Sequence, residues 1–251
     1  MKRLNSDFLT IRPVLLVAVL LLACALPGAR AQGSGSAWQA VGPTSVTSLN
    51  YGAVTGRVTA LALDPSDATG NNLFIGVTGG GVWHSLNAAS ATPGNITFTA
   101  LTDDLPAMQT TSVCGQSVPV ALPSISIGAI TVQPGATGVV LAGTGDPNDA
   151  FDSYYGDGVL YSASDGTTWN LLTHSCDLVI GDSTQNYYFT GEAIAGFAWS
   201  TKYPQYVVAA VTQSYRGYLD AATMPGYSYE GLYYSSDGGA DWYLSTIEDS
   251  G

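Results

Sequence analysis

The chain has 251 residues, with seven Lys and Arg against nineteen Asp and Glu and a formal charge of −12. Such a field repels phosphate polymers and argues against nucleic acid or an anionic membrane as partner. Thirty Gly, fifteen Tyr and short runs of Val, Thr and Ser favour an all-β chain over disorder, and helical periodicity is hardly visible.

Taken from the amino end, Lys2, Arg3 and Arg12 precede an apolar run from Val14 to Ala25 that ends near Ala29-Arg30-Ala31. That order reads as a secretory signal peptide over residues 1–31 and places the protein outside the cell, in the periplasm or on the cell surface. The "LLAC" stretch leaves the alternative of a lipid anchor at Cys24. The run is shorter than the roughly 20 residues of a spanning helix, and no later segment serves as a membrane span. Cleavage would leave three basic and eighteen acidic residues, a formal charge of −15. Cys114 and Cys176 then remain as an even pair, the arithmetic of a disulfide in an exported chain.

Residues 32–251 show internal repetition. "AWQAVGP" predicts an outer strand at 37–43, with Trp38 as its aromatic. Three four-strand units follow, at about 56–102, 125–173 and 192–246. Each opens on an apolar strand ("VTALALDP" from Val58, "IGAITVQP" from Ile127, "IAGFAWST" from Ile194), so inner strands are expected at about 58–63, 127–132 and 194–199. Second strands read "LFIGV", "VLAGT" and "VVAAV", third strands "GVWHS", "GVLYS" and "GLYYS", and fourth strands open on Phe98, Trp169 and Trp242. Four short strands per unit, with a Ser-Asp-Gly turn between the third and fourth, predict a β-propeller of antiparallel four-stranded blades, about three of them in this chain and more in a longer one.

The turn chemistry is local. In "SSDGGADW" the Ser235 hydroxyl and Asp237 carboxylate can accept turn N–H groups, Gly238 or Gly239 supplies a positive φ, and Trp242 packs between sheets. The spacing Ser235, Asp237, Gly239, Trp242 resembles the Asp-box, or BNR repeat, of sialidases, related glycoside hydrolases, sortilin-like receptors and secreted bacterial propellers. Ser162, Ser164, Asp165, Gly166 and Trp169 form a second copy with Ser164 in the Asp place. Ser85 and Asn87 form a third, with an insertion before Phe98. "GTGDPNDAFDSYYGDGVLYS" also resembles secreted bacterial proteins built on this repeat.

In the resembling hydrolases the active face lies opposite the boxes, and here it receives the long loops at 145–157, 170–191 and 212–230. Tyr154, Tyr155, Tyr215, Tyr227 and Tyr229 are the candidate ligand-binding aromatics. Asp146, Asp149, Asp152 and Asp157 could hold Ca²⁺, although their spacing is not that of an EF-hand, and a solvated acidic turn is the plain alternative. No cofactor is otherwise required. A hydrolase needs two carboxyl groups across a cleft, for which Asp146, Asp152, Glu192 and Glu230 are candidates. Arg57 and Arg216 are the arginines that the sialidase resemblance would set against a substrate carboxylate. His84 reads as a strand residue and His174 as a loop residue without a partner. The leading expectation is a module binding an extracellular glycan or protein. A sialidase-like glycoside hydrolase completed by further blades and a cell-surface or assembly scaffold are the alternatives.

Overall fold

Fifteen short strands lie among the described residues. The structure is a computed structural model that describes residue 42 and residues 45–104, 108–148, 150–151, 153–180, 187–214 and 230–246. These all belong to one compact unit, residues 41–251. The signal segment, Cys24 and Trp38 lie outside the described residues, as does the expected outer strand at 37–43 apart from Gly42.

A hairpin, β1 (Val46–Ser48) and β2 (Gly52–Val54), precedes the first blade. That blade is β3 (Val58–Leu63), β4 (Leu73–Val77), β5 (Gly81–Ser85) and β6 (Thr99–Ala100), antiparallel in chain order. After the short β7 (Gln109–Thr110) come β8 (Ile127–Val132), β9 (Val140–Thr144), β10 (Val159–Ser162) and β11 (Asn170–Leu172) of the second blade. The third blade is β12 (Glu192–Trp199), β13 (Val207–Gln213), β14 (Gly231–Ser235) and β15 (Tyr243–Leu244). The only helix among the described residues is one 3-10 turn, Pro93–Asn95. No described helix is long and apolar enough to cross a membrane.

The second blade departs from the expected four strands. β7 adds to its outer edge, parallel to β11, with Gln109 opposite Asn170 and Thr110 opposite Leu171. The connecting segment thereby satisfies edge carbonyls and amides that would otherwise face solvent, as in Thr111 N–H to Leu171 O at 3.4 Å. It continues to Cys114, which is bonded to Cys176 with 5.4 Å between Cα atoms. The Cys176 N–H in turn donates to Trp242 O at 2.7 Å, so the bridge ties the second blade's edge to the third blade's outer strand.

Blades stack with their inner strands side by side, β8 between β3 and β12. One apolar cluster joins the first blade to the second through Phe74, Val82, Ile127, Leu160 and Trp169. Another joins the second to the third through Leu141, Phe189, Ile194, Tyr233 and Trp242. The close approach has a sequence cause at Gly76 and Gly143, the fourth residues of β4 and β9. A Cβ there would lie 2.5 Å from Ile127 Cγ2 and 2.2 Å from the Ile194 Cβ, respectively. Ile127 of β8 and Ile194 of β12 thus each seat on a glycine of the preceding blade. This repeated sheet-on-sheet packing is that of a β-propeller.

The hairpin turns repeat as well. Ser235 Oγ accepts the Gly239 N–H at 2.9 Å, Asp237 Oδ1 accepts those of Ala240 and Asp241, and Trp242 Nε1 donates to Gly239 O at 2.9 Å. In the second blade Ser162 Oγ accepts Gly166 N–H, Ser164 Oγ takes the aspartate's part toward Thr168 N–H, and Trp169 Nε1 donates to Gly166 O. Both Gly238 and Gly239 have positive φ, and Asp165 and Gly166 repeat that conformation. Asp is among the few side chains that tolerate it. In the first blade Asn87 Oδ1 accepts Thr97 N–H at 2.9 Å across the longer insertion.

Candidate functional site

The loop between β9 and β10 crosses the face opposite these turns, and two buried carboxyl groups anchor it. Asp146 and Asp157 are only 4% and 3% exposed, so neither of these two is a solvated carboxylate. Asp146 is paired with Arg57, which stands just before β3 in the neighbouring blade, at 3.0 Å. Its other oxygen accepts the backbone and side-chain N–H groups of Asn148. Removing Arg57 would leave the buried Asp146 charge unmatched, whereas the arginine itself is largely exposed, so the cost falls below that of a fully buried pair. Asp157 Oδ2 accepts the Ser124 N–H at 2.8 Å. Burial pushes the Asp157 carboxyl up to about 6, against the opposing hydrogen bonds from Ser124 and the Thr190 hydroxyl.

Asp157 lies in the wall of a cavity of about 480 Å³ between the first two blades, with Tyr51, Val54, Thr78, Leu122, Tyr154 and Tyr155 around it. That volume falls in the range of about 300–1,000 Å³ typical of ligand pockets. Tyr51 comes from the β1–β2 turn, where Ser48 Oγ accepts the N–H groups of Asn50 and Tyr51. Its hydroxyl donates to Pro123 O at 2.7 Å, and burial, with the nearby charges of Asp157 and Asp104, pushes it up to about 12. Tyr154 is 55% exposed and offers its ring at the rim. The Ser126 hydroxyl, also in the wall, is buried with no hydrogen-bond partner among the described residues.

A second cavity, of about 370 Å³, opens where the inner strands begin, lined by Arg57, Val58, Thr59, Gly128, Pro147, Asn148 and Ala195. Each inner strand breaks register at its start: between Val58 and Ala60 in β3, Ile127 and Ala129 in β8, and Ile194 and Gly196 in β12. The three residues thrown out of register, Thr59, Gly128 and Ala195, all line this cavity. Bulges commonly re-aim a side chain in this way next to a functional site.

The structure therefore brings Arg57 together with Asp146, and Tyr154 and Tyr155 together with Asp157. Glu192 heads β12 but is buried within the blade, and Glu230 stands exposed just before β14; neither lines either cavity. Asp149, Asp152, Tyr215, Arg216, Tyr227 and Tyr229 lie outside the described residues. Among the described residues, the one group of His, Cys and carboxylates close enough to share an ion is Cys114, Cys176 and Asp241, whose sulfurs are joined in the disulfide. His84 stacks on Phe74 with 4.2 Å between ring centres, a strand residue at a blade interface. His174 corrects the expectation of a partnerless loop residue: it is fully buried, bridges to Tyr188 and meets the Thr173 hydroxyl at 3.2 Å, and burial lowers its pKa. Tyr51, Thr78, Ser124 and Ser126 were not among the residues expected from sequence. The one local signal was the Ser-Leu-Asn-Tyr-Gly turn that carries Tyr51.

No protein-family description matches the chain, and no curated protein does either. Among solved structures the fold is similar to the GH74 xyloglucanase of Xanthomonas campestris, with TM-score 0.39 and 17% identity over 74% of this chain and 23% of that one. It is likewise similar to a GH74 enzyme of Niastella koreensis, with TM-score 0.38 and 19% identity over 77% of this chain and 23% of that one. This chain thus spans under a quarter of either length.

Proposed function

We propose that this chain is part of an exported, carbohydrate-binding β-propeller whose loop face seats a neutral glycan between the first two blades. The observation that carries the reading is the cavity that sets Tyr51, Tyr154 and Tyr155 beside the Asp157 carboxyl. A sugar ring has an apolar C–H face and a hydroxyl edge. Tyrosine rings suit the first, while a buried carboxyl and the Ser126 hydroxyl suit the second. Neutrality follows from charge. The chain is strongly acidic, and Arg57, which a sialidase-like reading would turn toward a substrate carboxylate, already holds Asp146.

A hydrolase is the second reading, favoured by one fact: a carboxyl raised to about 6 in a cleft is the environment of a general acid. Its weakness is the other carboxylate, since Asp146 is committed to Arg57 and Asn148.

A glycan array read with the full chain and with Tyr154→Ala tests both. The expected result is retention on neutral glycans but not on sialylated ones. Tyr154→Ala should weaken retention several-fold while shifting Tm little, since the ring is largely exposed. Equal retention by the variant, or none by the native chain, would overturn the reading. Release of reducing sugar by the native protein but not by Asp157→Asn would favour the hydrolase.

A further inference from the structure

Hydrogen bonds connect the linings of the two cavities. On the first blade, Arg57 lines the axial cavity and is tied to Thr78 of the tyrosine cavity, its N–H donating to Thr78 Oγ1 at 3.2 Å and its carbonyl accepting the Thr78 N–H at 3.0 Å. On the second blade, the Asp146 N–H donates to Tyr154 O at 2.8 Å on the tyrosine side, while its carboxylate holds Asn148 on the axial side. The Arg57–Asp146 ion pair therefore stands between the two linings, and the Arg57 side chain is 62% exposed.

The axial cavity is also a repeated construction. The bulges of β3, β8 and β12 turn residues 59, 128 and 195 toward one space at equivalent positions in three blades. Gly128 leaves its part of the wall without a side chain, and a Cβ there would lie 2.4 Å from Gly145 O and 2.7 Å from Ile194 O. The polar side chains are the Thr59 hydroxyl, which donates to backbone carbonyls, and the Arg57 guanidinium and Asn148 amide, donors suited to hydroxyl and ring oxygens.

From this we infer that the glycan site is a double one: an oligosaccharide chain that enters the tyrosine cavity crosses the Arg57–Asp146 pair and places its next sugars in the axial cavity. The inference rests on the neutral-glycan reading above and deepens it, extending the glycan from the tyrosine cavity to a chain that spans both cavities. Arg57 serves in it as a hydrogen-bond donor at the crossing point. Affinity must then grow with chain length, because the second cavity engages a group already tethered in the first.

The experiment is titration calorimetry of the full chain with neutral cello-, manno- and chito-oligosaccharides of one to six units. The expected result is a gain of about tenfold or more in affinity between the monomer and the longer members of the ladder that binds. Ala195→Tyr fills the axial cavity from an exposed backbone position and should reduce the longest-to-shortest affinity ratio toward one. The double variant Arg57→Gln/Asp146→Asn, which keeps a hydrogen-bonding pair without burying a lone charge, should lower the same ratio. Binding that does not change with length, or a ratio untouched by Ala195→Tyr, overturns the double site and leaves the glycan reading standing. No binding by any ladder overturns both. The native ladder decides the matter even if a variant fails to fold.

Discussion

Replacing Asp157 by Asn offers the sharpest check on the electrostatics of the cleft. Burial raises this carboxyl from 3.8 to about 6, so between those values the folded protein holds a proton that the unfolded chain has released. Stability contributed by the protonated form is complete below about pH 4 and is lost as the pH rises through about 6. At 1.36 kcal/mol per pH unit, the full loss is about 3 kcal/mol. Asn keeps an acceptor for the Ser124 N–H and removes the buried charge. The variant should match the native protein near pH 4 and exceed it by about 1–3 kcal/mol above pH 7. His84 and His174 act in the opposite sense. Burial lowers both, so their contribution grows as the pH rises toward 6.5, and the native curve alone mixes the two effects. The difference between the two proteins isolates Asp157. Urea unfolding of both, from about pH 4 to 7.5, measures it. A difference independent of pH, or a variant less stable at neutral pH, would refute the assignment of a buried, charge-averse carboxyl.

Two further outcomes concern the scaffold. Trp242→Ala empties a fully buried site between the second and third blades and should cost about 3–5 kcal/mol in chemical denaturation, against about 0.5–2 kcal/mol for Asp237→Ala, which loses the acceptor for two turn N–H groups. A cost for Asp237→Ala equal to that of Trp242→Ala would contradict the packing argument. Replacing Cys114 and Cys176 together by Ser opens a loop whose ends are 62 residues apart and should cost up to about 4 kcal/mol on the chain-entropy account. Unfolding curves that coincide for the native and double-Ser proteins under non-reducing conditions would show that the bridge is dispensable.

Much of the fold was legible because its determinants are short-range. The runs at Val58, Ile127 and Ile194 became β3, β8 and β12, and the Ser-Asp-Gly-Trp turn writes its own hydrogen bonds within eight residues. Ser164 in the Asp place could be read in advance, since a hydroxyl can accept the same N–H. β7 could not. Two residues laid parallel along β11 leave no periodic trace, and their pairing depends on where a neighbouring blade presents an open edge.

The candidate site divides along the same line. Tyr154, Tyr155, Asp146 and Asp157 could be named because they crowd one loop of thirteen residues on a scaffold whose alternation of strands assigns that loop to a face. Their partners could not. Tyr51 shares a cavity with Asp157 across 106 positions, Arg57 reaches Asp146 across 89, and the three bulges meet only because three blades share an axis. Strand, turn and blade repeat are set by interactions within a few residues of each other, and composition alone limits them. Which carboxyl is buried, which is paired and which lines a cavity is set by packing between blades, where desolvation and distance depend on segments that the chain order keeps far apart.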